Sequence, residues 1–104
     1  MTVYDKMVRD KIPEILTKKG KSYLAFKADD KQAMSYLIKK LFEEAEEFSE
    51  NPSIEELADV QEVVCALLGK LGYDWDQLEL AREDKKVSRG AFDDGWILGE
   101  VLDD

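Results

Sequence analysis

Four acidic residues form two short pairs in the middle of the chain. Glu44 and Glu47 make the first pair, and Glu56 and Asp59 make the second. Residues three positions apart on a helix are surface neighbours, with roughly 5–6 Å between their Cβ atoms. Two such pairs on antiparallel helices would place four hard oxygen donors around one point. This arrangement is typical of a Mg²⁺ site that binds phosphate.

Two amphipathic helices must position these acids. Their apolar residues recur with a 3.6-residue period, from about residue 29 or 30 to 49 and from 53 to 72. Pro52 lies in the short connection, so we expect the helices to be antiparallel neighbours. The first helix of the chain should span roughly residues 10–20, with Asp10 as its N-cap, and the fourth roughly residues 74–87.

Helical phase separates the acids within each helix. With Leu41 at the centre of the apolar face, Glu44 lies about 60° and Glu47 about 120° to one side. With Val64 at the centre of the next helix, Glu56 lies about 80° and Asp59 about 140° to one side. Other acids are expected to face solvent: Glu43, Glu46, Glu55 and Glu62.

Structural explanations compete with the metal site. Glu44 and Glu47 fit a solvated acidic face equally well. Ser53 and Glu56 match a capping box, in which Glu56 bonds back to the Ser53 amide. Asp59 has no comparable explanation, and Asp is a mediocre helix former, which favours a functional role for it.

Two basic clusters offer phosphate ligands. Lys85, Lys86 and Arg89 lie near the end of the fourth predicted helix, where Arg89 could bind phosphate with two hydrogen bonds. A helix C-terminus also favours basic residues for structural reasons alone. Arg9 and Lys11 form the second cluster, for which ordinary surface charge is the alternative.

Composition narrows the class of protein. The chain has 104 residues and a net charge of −9, so we expect one domain over residues 1–104 and no nucleic-acid polymer as partner. It has no His, which excludes His-based catalysis. Cys65 is the only cysteine, so no intrachain disulfide can form, which predicts a cytoplasmic protein. Its side chain is expected to be small and buried. No apolar run is long enough for a membrane span.

The expected fold class is all-α, with four or five helices around the antiparallel pair. Weak alternation at residues 22–27 and an apolar run at 96–98 leave room for a short two-stranded β element.

Several segments together resemble a known family. Residues 41–47 followed by 56–59 resemble the E-E-x-x-E…E-x-x-D signature of the MazG-like, all-α nucleoside triphosphate pyrophosphohydrolases. Residues 7–15, containing V-R-D-K-I-P, and residues 88–92, R-G-A-F after Ser88, resemble one small branch related to phosphoribosyl-ATP pyrophosphohydrolase. Two departures are the short spacing of eight residues between Glu47 and Glu56 and Ala91 in place of a glycine.

The resemblance implies a homo-oligomer, a dimer or a tetramer, built as a helix bundle. It implies Mg²⁺, with Mn²⁺ as the alternative, and hydrolysis of a nucleoside triphosphate to the monophosphate and pyrophosphate. The residues carried over as metal ligands are Glu44, Glu47, Glu56 and Asp59. Those carried over as phosphate ligands are Lys86 and Arg89. Arg9 and Lys11 belong to the matching residues 7–15.

Without His, the general base must be a carboxylate or metal-bound hydroxide, and Glu43 and Glu47 are both candidates. Two other functions fit the same acids: a non-catalytic helical interaction module, and a regulatory domain that binds a nucleotide without turnover.

Overall fold

Four α-helices form the regular structure of residues 1–103, the part of the chain that this computed structural model describes. They are α1 (Ile12–Lys18), α2 (Asp30–Glu50), α3 (Ile54–Leu71) and α4 (Trp75–Arg89). The predicted all-α class is confirmed. The chain divides into two compact units, Met1–Tyr73 and the residues from Asp74 onward, which are described separately.

The ends of α2 and α3 follow from their sequence. Asp29 and Gln32 form a reciprocal capping box, in which each side chain accepts a hydrogen bond from the other's backbone amide, at 2.8 and 3.2 Å. The Ser53 hydroxyl accepts a hydrogen bond from the Glu56 amide at 3.2 Å. Gly72 ends α3 in the left-handed conformation, with φ of 82°, which a residue without Cβ adopts freely. The predicted starts and stops of both helices are therefore confirmed.

The predicted N-cap of α1 is wrong. Lys11 precedes the helix in a helical backbone conformation and makes no side-chain cap. The backbone itself opens the turn, because the Ile12 amide donates to the Arg9 carbonyl at 3.0 Å and the Ile15 amide donates to the Lys11 carbonyl at 2.9 Å. Asp10 therefore lies in the preceding turn.

The predicted β element is not present among residues 1–103, since neither residues 22–27 nor 96–98 form a strand. Two isolated strands are marginally stable unless a buried apolar face supports them. Leu24 and Trp96 are 104% and 90% exposed, so these segments bury no such face.

An antiparallel hairpin of α2 and α3 forms the core of the first unit. Lys70, in the last turn of α3, lies 3.3 Å from the carboxylate of Asp30, in the first turn of α2. The buried apolar residues are Ala33 and Leu37 on α2 and Val63 on α3. The predicted antiparallel pair is therefore present.

The seam between the two helices is rotated from its predicted position. Leu37 and Ala33, rather than Leu41, mark its centre on α2, and Val63 rather than Val64 marks it on α3. The correction turns α2 by about 60° and α3 by about 100°, in each case towards its acids. The reason is that Leu41 and Val64 are only half-buried, and polar residues occupy seam positions near the connection.

Residues 5–11, here called the N-terminal segment, lie across both helices of the hairpin. The Tyr36 hydroxyl on α2 donates a hydrogen bond to Asp5 at 2.6 Å. The Lys6 ammonium lies 3.1 Å from Glu43 on α2, and the Arg9 guanidinium lies 2.6 Å from Asp59 on α3. Polar contacts therefore attach an irregular segment to the two helices that carry the acids.

In the second unit, α4 begins with a capping box between Asp74 and Gln77, as predicted. Arg82 pairs with Glu79 and Glu83 on the helix surface, and this contact lowers the pKa of Glu79. None of the helices within residues 1–103 combines the length and apolarity that a membrane crossing needs.

Candidate metal site

The helix seam brings Glu44 to the centre of the site. Glu44 follows Leu37 by seven residues, so it lies on nearly the same line along α2, and it is 6% exposed. Its Oε2 atom is buried and has no hydrogen-bond partner among the described residues. A buried carboxylate oxygen without a partner carries a desolvation cost of about 1–3 kcal/mol or more. Glu44 is therefore at a site where a cation would be stabilising.

Glu56 mirrors this arrangement on α3. It precedes Val63 by seven residues and is half-buried, and its Oε2 atom is also buried without a partner. Only half of the predicted capping box forms, because the Ser53 hydroxyl accepts from the Glu56 amide while the Glu56 carboxylate lies beside Glu44 and Asp59. Capping therefore does not explain the Glu56 side chain.

Two sets of carboxylates are close enough to share an ion. One oxygen each of Glu44, Glu56 and Asp59 lie within 4.8 Å of one another, and the same holds for Glu43, Glu44 and Glu47. Around octahedral Mg²⁺, with bonds of 2.0–2.1 Å, opposite ligands are about 4.2 Å apart. Glu44 belongs to both sets, whereas Glu47 lies only in the set with Glu43, so within the described residues three of the four predicted acids share one point.

The acids differ in their exposure. Glu46 and Glu47 are exposed, whereas Glu44 is buried, so the alternative of a fully solvated acidic face is wrong for Glu44. Glu43 was expected to face solvent, but its side chain is only 29% exposed. The N-terminal segment covers it, because Lys6 reaches it from that side.

Three basic side chains neutralise part of this charge. The Lys40 ammonium lies 3.4 Å from one oxygen of Glu43 and 3.4 Å from one oxygen of Glu44. Lys6 contacts Glu43, and Arg9 contacts Asp59. The ion pair with Arg9 therefore gives Asp59 a structural role, which its position in the sequence does not indicate.

Opposite pKa shifts follow from these surroundings. Burial, together with the neighbouring Glu47 carboxylate, raises the pKa of Glu44, and Lys40 only partly opposes this. Burial also acts to raise the pKa of Glu43, but hydrogen bonds and charge from Lys6 and Lys40 outweigh it and lower that pKa. Two adjacent acids on one helix therefore have different proton affinities.

Sequence reasoning missed Lys6 and Lys40. Lys40 precedes Glu43 and Glu44 by three and four residues, a spacing that places the side chains side by side on a helix and was a usable signal. Nothing in the sequence pattern indicates Lys6, because its contact with Glu43 spans 37 residues.

The predicted phosphate ligands fall into two places. Arg9 and Lys11 lie beside the acids and line a cavity in the first unit. Lys85, Lys86 and Arg89 lie in the last turns of α4 in the second unit. Their approach to the acids stays a prediction.

Cys65 also differs from its prediction. It is exposed and lines the same cavity as Arg9, because the corrected phase of α3 turns it away from the seam.

Comparison of the chain with models of known protein families gave no match, and searches among curated proteins and solved structures gave none either. Functional assignment therefore depends on the geometry of the acids and on the motifs that the chain itself contains.

Proposed function

We propose that this protein is a Mg²⁺-dependent pyrophosphohydrolase that cleaves a nucleoside triphosphate to the monophosphate and pyrophosphate. One observation carries the proposal: Glu44 and Glu56, on opposite helices, each have a buried carboxylate oxygen without a partner, and their carboxylates lie within 4.8 Å of each other and of Asp59. A divalent cation would satisfy these oxygens and offset their mutual repulsion. Mn²⁺ prefers the same oxygen ligands.

Glu44, Glu47, Glu56 and Asp59 are the residues that would hold the ion. When bound, Mg²⁺ would neutralise the triphosphate and polarise its phosphoryl oxygens. The carboxylates orient a water molecule opposite the leaving pyrophosphate. The water oxygen then forms a bond to the α-phosphorus as the bond from that phosphorus to the bridging oxygen breaks.

Glu47 is the stronger candidate for the general base. Glu43 is held by Lys6 and Lys40, which lower its pKa and make it a poorer proton acceptor. Glu47 is exposed at the open edge of the cluster and forms no ion pair with the residues in the described range. It can therefore accept a proton from water without first breaking an ion pair, and in that role it would leave the ion to Glu44, Glu56 and Asp59.

The basic residues would hold the phosphates. Arg9 lies at the acids already, and breaking its contact with Asp59 would free it for phosphate. Further positive charge would come from Lys11, Lys85, Lys86 and Arg89.

The reducing environment expected for the single Cys65 fits a cytoplasmic enzyme.

The hairpin surface carries exposed apolar residues that a second copy of the chain would cover. Ile38 and Phe42 on α2 and Leu57 on α3 are exposed apolar residues, at 45%, 74% and 49%. Pairing two hairpins through this surface would build a four-helix bundle. We therefore propose a homo-oligomer, with a dimer as its smallest form.

The test is pyrophosphate release from a panel of canonical and modified nucleoside triphosphates with Mg²⁺. Wild-type protein should release pyrophosphate, and Glu44→Gln and Glu56→Gln should not. Glu46→Gln and Glu55→Gln are matched controls, since both residues are exposed acids adjacent in sequence to the site. If no nucleotide yields pyrophosphate, the enzyme proposal fails.

One observation favours a non-catalytic interaction module instead. Arg9, Lys6 and Lys40 already neutralise part of the acidic cluster without an ion. That module predicts a melting temperature that does not respond to Mg²⁺. A regulatory nucleotide-binding domain, by contrast, predicts Mg²⁺-dependent nucleotide binding without product.

A further inference from the structure

A cavity of about 630 Å³ lies between residues 7–15 and the α2–α3 hairpin. Its volume falls within the range of about 300–1,000 Å³ typical of small-molecule sites. All of its lining residues belong to the first unit. The cavity therefore has the size of a binding site for a small organic molecule.

The cavity has two chemically different walls. Glu44 and Asp59, from the candidate metal site, form part of its lining, with Arg9 beside them. Leu37 and Val63, both buried, form an apolar part of the wall of the same cavity. With a divalent cation on the acids, as proposed, a ligand that fills the cavity would need an anionic group at one end and an apolar body at the other.

Helix geometry gives the length of that body. Leu37 precedes Glu44 by seven residues, which is about 10 Å along α2. Inorganic pyrophosphate or tripolyphosphate would use the acidic end and leave the apolar wall uncovered. An organic group of about this length would cover it.

Carboxylates at the rim of the cavity favour a ligand that donates hydrogen bonds. Asp10 and Glu62 line the cavity and are exposed to solvent. An ionised carboxylate only accepts hydrogen bonds, so these residues favour an organic group that donates through N–H or O–H. A nucleoside has an apolar ring surface together with such donors.

We propose that this cavity binds the nucleoside part of the substrate, so that the N-terminal segment and α1 select which nucleotide is hydrolysed. The proposal rests on the proposed function, because it takes the phosphates to lie at the acids. The apolar lining residues would contact the nucleoside: Met7, Ile15, Leu37, Val63 and Ala66.

Methionine methyl groups provide a test that needs no mutation. Met7 lines the cavity, whereas Met34 is equally half-buried on α2 but does not line it. In ¹³C-methyl-methionine NMR spectra with Mg²⁺, α,β-methylene nucleoside triphosphates should shift the Met7 signal and leave Met34 in place. Inorganic tripolyphosphate should not produce that shift. An equal Met7 shift with tripolyphosphate would overturn the proposal.

Filling the cavity provides a second test. Ala66→Leu adds bulk at an exposed position of the cavity wall, and Ala81→Leu makes the same change at an exposed position of α4 outside it. Ala66→Leu should weaken binding of the methylene nucleotides at least tenfold, with Mg²⁺ and tripolyphosphate binding unchanged. Ala81→Leu should change none of them.

The two proposals fail in different ways. If Ala66→Leu binds nucleotides as tightly as wild type while keeping its Mg²⁺ response, the nucleoside site is wrong and the enzyme proposal stands. If nucleotides bind with the expected Met7 shift and no triphosphate is hydrolysed, the enzyme proposal is wrong and the binding site stands.

Discussion

Glu44 and Glu56 lie opposite each other across the α2–α3 seam, and each has a buried carboxylate oxygen that lacks a hydrogen-bond partner. Glu44 follows Leu37 by one heptad, and Glu56 precedes Val63 by one heptad. Both acids therefore occupy positions where apolar residues would continue the core. In the hairpin, two acids at one point therefore replace apolar residues in part of the hydrophobic seam.

Glu44→Gln should separate stability from metal binding. Without metal, replacing a buried acid whose pKa is raised should stabilise the fold by about 1 kcal/mol, or roughly 4–8 °C in melting temperature. Wild-type protein should gain stability on addition of Mg²⁺, and the variant should not. Differential scanning calorimetry with and without Mg²⁺ measures both effects. Glu46→Gln is the control, and an equal Mg²⁺ response in Glu44→Gln would contradict the site.

Arg9→Ala should tighten Mg²⁺ binding. Arg9 holds Asp59 through an ion pair with both side chains partly exposed, and such pairs contribute about 0–1 kcal/mol. Removing this competitor should therefore raise Mg²⁺ affinity by up to about fivefold, measured by isothermal titration calorimetry. Lys11→Ala removes a nearby charge without an ion pair to the acids and serves as the control. Identical affinities in the two variants would show that only net charge matters.

The combined variant Lys86→Ala, Arg89→Ala should lose phosphate binding and keep metal binding. Hydrogen bonds to charged groups contribute about 1.5–3 kcal/mol, so kcat/KM should fall by about ten- to a hundredfold. The melting-temperature response to Mg²⁺ should remain. Arg82→Ala, on the same helix but paired with Glu79 and Glu83, is the control. Unchanged kcat/KM would exclude these cations from the site.

Phe42→Asp should shift the protein to monomers. Phe42 is an exposed apolar side chain on α2, and burying a charge there would oppose pairing of two hairpins. Light scattering coupled to gel filtration measures the mass. Leu24→Asp is the control, since Leu24 is fully exposed outside the helices. If wild-type protein is already monomeric, the oligomer proposal fails.

Tyr36 predicts an alkaline transition of the N-terminal segment. The hydrogen bond to Asp5 raises the pKa of Tyr36 above its usual 10.0. The folded state thus retains this proton more strongly than the unfolded state. Its contribution to stability is complete below pH 10.0 and is lost as pH rises through the raised pKa. Alkaline difference spectra should show one high-pKa tyrosine that Tyr36→Phe removes and Tyr73→Phe does not.

The helices could be predicted because their signals are local. Asp29, Ser53, Gly72 and Asp74 mark ends that depend on a few neighbouring residues. The choice of acids was likewise readable, since Glu44, Glu56 and Asp59 do meet. Their phase was not, because the predicted seam was centred on the apolar residues Leu41 and Val64. That choice placed Glu44 and Glu56 at the edge of the seam, whereas both lie in line with its buried residues.

Long-range contacts explain the other differences. Glu43 was assigned to solvent because its neighbours on α2 give no sign that Lys6 will cover it. Asp59 looked free because its partner Arg9 lies 50 residues away. Periodicity describes one helix at a time, and these contacts depend on where an irregular segment crosses two helices.

The position of the N-terminal segment has a consequence for the order of folding. A short connection joins α2 and α3, whereas the contact between Arg9 and Asp59 closes a loop of 50 residues. Longer loops cost more entropy to close, so the hairpin should form first. The acids of the newly formed hairpin are then exposed to dissolved ions before Lys6 and Arg9 contact them. Synthesis in the presence of Mg²⁺ would let the ion occupy the acids first, and the segment would dock onto a hairpin that is already loaded.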